Sequence, residues 1–497
     1  MRKTALVCIG FIASLMFTHY FGASLGFALC LLLVLAVLIS LIIKKTSALL
    51  AVIACAFLVG NILMGLIDIR FDRLREQYDG AEFDATIRVS EVLENSRAYV
   101  KVKTLAGIKQ GAYFNVLCSF EPGTALQKGD LIEAKLKIKE IIDTDTFPTR
   151  SYNEGKGTVL EANATGARLV SSSFVWSFHS KLVSYIESTF DKYLGQFSDF
   201  SKGLFLGSKS ALGEEDTDML ADLGIIHVIS VSGLHFAILL GLFGAILRAF
   251  KLPKAISCCI VAAFALFYMF LTEFSPSVCR SGIMSFFVTF DFILQRRPDK
   301  LTTLAITGTL MCLAEPTAAI NLSFQLSFLA TFGLIAASNC ISVPLEIEME
   351  EKPLGKPVRN ILSSVVFSLC ALFFCLAPIA YSFKNISVLS PVSNLVCTPL
   401  AELILILSFI LIPLSILPHV AYIFGLILQG AGRVFMFLCS LLNNERYILP
   451  LSSEVLVYAS SFLTAFCVLL FLIPMGRQKE ALLVFITGSA LLSIINL

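Results

Sequence analysis

The stretch Gly224–Phe236, GIIHVISVSGLHF, sets two histidines, two serines and two glycines inside a run otherwise apolar enough to enter a bilayer. Polar groups in hydrocarbon cost free energy unless they meet partners or line a wet cavity, so ionisable residues at that depth are functional candidates. Ser232-Gly233 is also a place for a helix to break, and a broken helix is tolerated there only where protein or water re-satisfies its backbone. If the helix runs on, positions 227, 230 and 234 share a face, with His235 about 80° from His227. If it breaks, the half-helix that follows aims free N–H groups into the membrane, an end suited to a phosphate. The plain alternative is two histidines satisfied by neighbouring helices.

The rest of the chain makes the bilayer the right solvent to consider. Of its 497 residues 57% are hydrophobic and only 15% charged, against about 25% charged in a soluble domain. Measured against the ~20-residue helix that crosses a bilayer, spans are expected near 5–21, 24–43, 47–69, 225–249, 255–273, 277–294, 301–315, 319–338, 360–381, 389–416, 419–441, 455–474 and 480–496. The fold class is therefore a polytopic α-helical membrane protein with about 11 to 13 spans, one or two of them broken or re-entrant. The first apolar run, after Met1-Arg2-Lys3, reads as a retained helix rather than a cleaved signal peptide. Fourteen cysteines do not make a disulfide framework: all but Cys118 lie in or beside expected spans, where cysteine acts as a small hydrophobe.

Residues 70–170 are the one extended polar region, with 15 basic and 15 acidic side chains and no net charge. Phe83, Ala85, Ile87 and Val89 alternate with polar residues, as do Ala98, Val100 and Val102, then Phe114, Val116 and Cys118, then Ile132, Ala134, Leu136 and Ile138. Thr158–Ala162 offers a fifth strand, and glycines fall between the runs as turns should. Five short strands in about 100 residues suit a small closed barrel such as an OB-fold. The row Lys135, Lys137 and Lys139 is its best candidate for nucleic-acid contact, although a lysine-rich face also serves to protect a strand edge. Domain boundaries follow: 1–69 for three leading spans, 70–170 for the barrel, 171–223 for an amphipathic linker and 224–497 for the main membrane domain. In the linker, Phe174, Trp176, Phe178, Leu182, Tyr185 and Ile186 read as an interfacial helix. GLFLGSKS, residues 203–210, resembles a phosphate-binding loop but is one residue short and follows no strand. The acidic run Glu214, Glu215, Asp216 and Asp218 suits a helix start.

Basic residues in short loops orient the chain. Arg2-Lys3, Lys44-Lys45, Arg248-Lys251-Lys254, Arg296-Arg297-Lys300 and the loop 342–359 all fall inside by parity. The N-terminus is then cytoplasmic and the barrel extracytoplasmic.

Three further polar constellations lie in the apolar half. SPSVCRSGIM, Ser275–Met284, buries Arg280 several residues into a span, with Glu273 and Asp291 as expected partners; the plain reading is an arginine that snorkels to the interface. EPTAAINLSFQLSFLATFGL, Glu315–Leu334, carries Asn321 and Gln325 one turn apart, for which helix–helix hydrogen bonding is the plain account. SPVSNLVCTPLAE, Ser390–Glu402, combines two prolines with Asn394 and Glu402 and reads as a broken helix. Together with His227, Ser230, Ser232, Gly233 and His235, these suggest one polar path.

At these motifs, taken in order, the sequence resembles the ComEC competence proteins, inner-membrane channels for DNA uptake in transformable bacteria. LQKGDLIEAKLKIKE (126–140) and FPTRSYNEGKG (147–157) extend the resemblance into the barrel. It implies an extracellular OB-like domain and passage of single-stranded DNA into the cytosol. The implied partners are the lipid bilayer, a cytosolic ATPase or helicase, an extracellular DNA receptor, a separate nuclease and, as an assembly, a homodimer. Longer members end in a metallo-β-lactamase-like domain. With five histidines, at 19, 179, 227, 235 and 419, this chain has no clustered metal motif, so no metal, no cofactor and no enzymatic activity are expected. Two other classes remain open: a secondary transporter of a small organic or phosphorylated anion, and an intramembrane serine hydrolase or acyltransferase built on Ser230 or Ser232 with a histidine.

Overall fold

In a computed structural model, the described residues run from 3 to 472 except 43–47, 94, 106–107, 125, 145–146, 208–211, 294–298, 339–354, 444–447 and 451–453, with 486 and 489 besides. The chain divides into two compact units, one of residues 6–184 with 309–322, the other of Met1–Ala5, Tyr185–Gly308 and Ser323–Leu497.

The first unit contains α1 (Lys3–Phe21), α2 (Ala23–Ile42) and α3 (Ala48–Tyr78), followed by a five-stranded barrel. The helices close on one another through small residues: a side chain at Gly26 would collide with the Asn61 amide, and one at Gly60 with Ser14. Such close approach is how helices associate in lipid, where apolar surface alone supplies no preference. The strands are β1 (Glu82–Val92), β2 (Arg97–Leu105), β3 (Ile108–Ser119), β4 (Leu131–Glu140) and β5 (Thr158–Ser171). They form a closed barrel in the order β1-β2-β3-β5-β4, β4 pairing back to β1 and β3 running parallel to β5. Closure leaves no free edge. The period-two pattern in the sequence is the pattern of burial: Ile87, Val100, Val116, Leu136 and Ile138 are among the wholly or almost wholly buried core residues, and Phe71 and Tyr78 of α3 pack onto the same core.

Between β4 and β5 lies α4 (Thr149–Glu154), the middle of FPTRSYNEGKG. This short helix is a hub. Tyr99 donates to Asn153 Oδ1 at 2.6 Å, and the Asn153 amide donates to the Thr149 carbonyl at 2.7 Å. Glu154 receives Arg75, Arg150 (3.2 Å) and His19 (3.3 Å), and the other nitrogen of His19 meets Asp68 at 3.1 Å. Gly155 then presses on the turn Pro316–Ile320: a Cβ there would lie 2.8 Å from the Asn321 Cα.

The second unit is helical. It holds the C-terminal part of α5 (Phe174–Leu194) from Tyr185, then α6 (Ser198–Leu206), α7 (Glu214–Asp222), α8 (Gly233–Ala249), α9 (Lys254–Leu271), α10 (Pro276–Ile293), part of α11 (Lys300–Ala314), and α12 (Leu322–Ala337) from its second residue. Next come α13 (Gly355–Phe374), α14 (Leu376–Ser382), β6 (Asn385–Ser387), α15 (Ser390–Leu414), α16 (Pro418–Leu442), β7 (Ile448–Pro450) and α17 (Glu454–Leu472), with β6 and β7 paired antiparallel. α7 begins at Glu214 with three acids in its first turn, as the acidic run suggested. α6 ends on Gly207 in the left-handed conformation; the rest of GLFLGSKS lies outside the described residues.

The protein is mostly helical, and several of its helices are apolar and long enough to cross a membrane. Among the described residues five qualify, or six if the pair Asn360–Phe374 and Leu376–Ser382, bent by 55°, counts as one span. Gly233–Ala249, Lys300–Ala314 and Leu322–Ala337 are apolar but shorter; the expected span at 480–496 lies, apart from residues 486 and 489, outside the described residues. Two of these start late, at polar positions: α8 only at Gly233, and α12 only after the Pro316–Ile320 turn. The break expected in SPVSNLVCTPLAE is absent. α15 runs unbroken through Pro399 and Pro413, and Pro391 sits in its first turn, where a missing N–H costs nothing.

Candidate functional site

The helix does break at Ser232-Gly233. Residues 224–236 form a left-handed turn at Gly224 (φ +70°), a 3-10 turn Ile226–Val228, and the N-terminus of α8. Ser232 caps that helix, its hydroxyl accepting from the His235 N–H at 3.2 Å. The Ser232 N–H donates in return to His235 Nδ1 at 3.3 Å. This reciprocal cap has a histidine where Glu or Gln is usual, and it leaves the imidazole proton on Nε2. It also explains the serine–histidine spacing of three: in the described contacts the pair is a helix cap, not a nucleophile held by a base. His227 is exposed, while His235 is buried. Ser230 donates to the His227 carbonyl at 3.1 Å.

Two glycines tie this turn to its neighbours. Gly224 lies against α15, where a Cβ would stand 2.7 Å from the Ser390 Cβ. Gly233, the first residue of α8, lies against α10, with the Arg280 guanidinium and the Ser281 hydroxyl in the volume a side chain would need. Arg280 is only 7% exposed. It donates to the Ser327 carbonyl of α12 and, at 3.1 Å, to the Ser281 hydroxyl, while its Nε is buried with no partner among the described residues. The arginine therefore does not snorkel. Its described contacts are a carbonyl and a hydroxyl, neither of them charged. Of the expected carboxylate partners, Glu273 is exposed in a left-handed turn, and the side chain of Asp291 lies outside the described residues.

On α15, Asn394 donates to Ser368 at 2.9 Å and Ser390 at 3.4 Å, and accepts from Thr398 at 3.3 Å. The turn, Arg280 and Asn394 are thus linked through Gly233 and Gly224. Gln325 stands half-buried on α12, two residues from the carbonyl that takes Arg280, and Glu402 stands half-buried two turns beyond Asn394. Asn321 belongs to the other unit, where it donates to the Gly155 carbonyl at 3.1 Å, tying a turn to the barrel's α4 hub. Ser368 carried no signal, being one serine in an apolar run.

The lysine row on the barrel is charge-compensated. Asp84 stands opposite Lys135, Glu82 opposite Lys137 and Glu161 opposite Lys139 in the strand registers, and Lys135 pairs with Glu82 at 2.8 Å. Among the described residues no three His, Cys, Asp or Glu side chains converge as a metal site.

A search of known proteins gives the family. The model for the competence protein family matches residues 204–477. ComE operon protein 3 of Bacillus subtilis (strain 168) is 26% identical over 200 residues, 40% of this chain and 24% of that protein. An uncharacterized protein of Aquifex aeolicus is 36% identical over 133 residues, 27% of this chain and 31% of its own length. An uncharacterized protein of Mycoplasma pneumoniae is 29% identical over 196 residues, 39% of this chain and 46% of its own length. The matches span less than half the length of each of these curated relatives, and no solved structure matches. The family match covers more than half of the chain and takes in Gly224–Phe236, Arg280 and Asn394, so the chain belongs to the competence protein family.

Proposed function

We propose that this chain carries DNA across the bacterial inner membrane during natural transformation, as a channel for a single strand. The observation that carries the reading is Arg280, a charged, buried side chain without a charged partner in its described contacts, set against the N-terminal end of the broken helix α8. A helix N-terminus has roughly half a positive charge of its own. Two positive features meeting among hydroxyls make a poor place for a cation and a good one for a polyanion. Five basic loops support a cytoplasmic N-terminus and an extracytoplasmic barrel. The barrel's strand order and its parallel β3–β5 pairing support an OB-like fold. With its lysines compensated, that barrel is assigned to positioning rather than to holding the strand. No ATP-binding motif is visible, so the driving force is assigned to a cytosolic ATPase, capture to an extracellular DNA receptor and strand degradation to another chain. The test is deletion of the gene in a transformable host. DNA bound at the cell surface should persist while transformants fall by at least a hundredfold; undiminished transformation contradicts the proposal.

A further inference from the structure

We infer that the junction of Gly233 and Arg280 is a seat for one phosphate of the passing strand, an inference that rests on the reading of the chain as a DNA conduit. α8 is a 17-residue helix, long enough to develop an end charge. Its cap accounts for the N–H of His235 through the Ser232 hydroxyl, and the N–H of Phe236 goes to the Ser232 carbonyl. Those of Gly233 and Leu234 precede the first intrahelical acceptor, as the opening donors of any helix do. Ser232 and Gly233 are half-buried and Leu234 is 53% exposed, so an anion can approach this end.

A helix end alone would not specify a ligand. The second observation is Arg280: its Nε is a buried donor with no acceptor among the described residues, and its guanidinium lies directly on Gly233. Burying an arginine without a counter-charge is costly, and placing it at the positive end of a helix adds to that cost. An oxyanion at the same point removes both penalties. It would be offered two main-chain N–H groups and a guanidinium, the donor set that suits phosphate. Gly233 lets the guanidinium come this close, because any side chain there would displace it. A lipid headgroup presents the same phosphate chemistry, so the source has to be decided by experiment.

The full chain in nanodiscs is titrated with a fluorescent 20-nucleotide oligothymidylate at several salt concentrations, beside Arg280→Gln and Arg280→Lys, each checked for a monodisperse elution profile. Arg280→Gln should weaken binding at least tenfold and lower the salt slope by about 0.7, the share of one phosphate on a single strand. Arg280→Lys should keep most of the affinity, and inorganic pyrophosphate should compete with the oligonucleotide on the wild type. If the wild type binds the oligonucleotide and Arg280→Gln binds it equally well, the seat is wrong while the conduit reading stands. If the wild type binds pyrophosphate through Arg280 but no oligonucleotide, the anion chemistry holds and the conduit reading fails. If Arg280→Gln loses only co-purifying phospholipid, the seat belongs to a headgroup and the inference is overturned.

Discussion

Glu154 and Arg280 are both charged and both buried, and their surroundings treat them in opposite ways. Burial alone would push the Glu154 carboxyl up; the bond from His19, the charges of His19 and Arg75 and the bond from Arg150 outweigh it and hold the group below its ordinary value. A carboxylate whose folded pKa lies below its unfolded value of about 4.3 stabilises the fold fully above that value. The contribution is lost as pH falls through the folded pKa. Glu154→Gln strands its cations and should cost about 3 kcal/mol at pH 7, read as a lower thermal midpoint. The gap from wild type should narrow as pH falls below about 4.3 and through the folded pKa. A gap that widens over that acidic range would contradict the ion-pair account. Arg280 has no such compensation among its described contacts. Its cost is sustained in the stretch that the sequence had already singled out, where a local rule broken without local remedy points to function rather than to stability.

At the scale of elements, what was legible depended on which solvent each element meets. The barrel was readable strand by strand because each strand has one wet face and one dry one; Ile132, Ala134, Leu136 and Ile138 alternate with charged residues in sequence and in burial alike. In the helical unit both faces of a helix can be apolar, so hydropathy marks that a helix exists but not where it stops. Ser232-Gly233 was readable as a break because the capping serine is explicit, whereas the 55° bend between α13 and α14 was hidden in an apolar run. Pro399 gave the opposite signal and failed, since a proline inside α15 is tolerated without breaking the helix. Pairing in this unit is also invisible from spacing. α15 and α16 bring the Cys397 and Cys439 sulfurs to 3.8 Å, both side chains buried. Copper–phenanthroline in air should convert these two thiols to a disulfide, and proteolysis with mass spectrometry should recover one cross-linked peptide that is absent from Cys397→Ser. Failure to cross-link even in detergent would mean that the two helices are paired differently.

For the whole molecule, the sequence supports a membrane protein with a small barrel after three leading helices, and the structure adds how the barrel unit is held. FPTRSYNEGKG had value at first only as a point of resemblance; its Asn153, Glu154 and Gly155 turn out to join α1, α3, the barrel and the Pro316–Ile320 turn. None of those contacts was readable beforehand, because the partners lie scores of residues apart and share no local pattern. The same is true of Asn321, one turn from Gln325 in sequence yet engaged in a different unit. What remains in the helical unit is one polar turn, Gly224–Phe236, set against Arg280 at Gly233, and the function proposed for the molecule stands on it. The most direct measurement is DNase-protected uptake of fluorescent DNA by transformable cells carrying Arg280→Ala, at wild-type levels of inserted protein. Protected DNA should fall at least tenfold while surface-bound DNA is unchanged; protected DNA at the wild-type level would remove Arg280 from the path and the central claim with it.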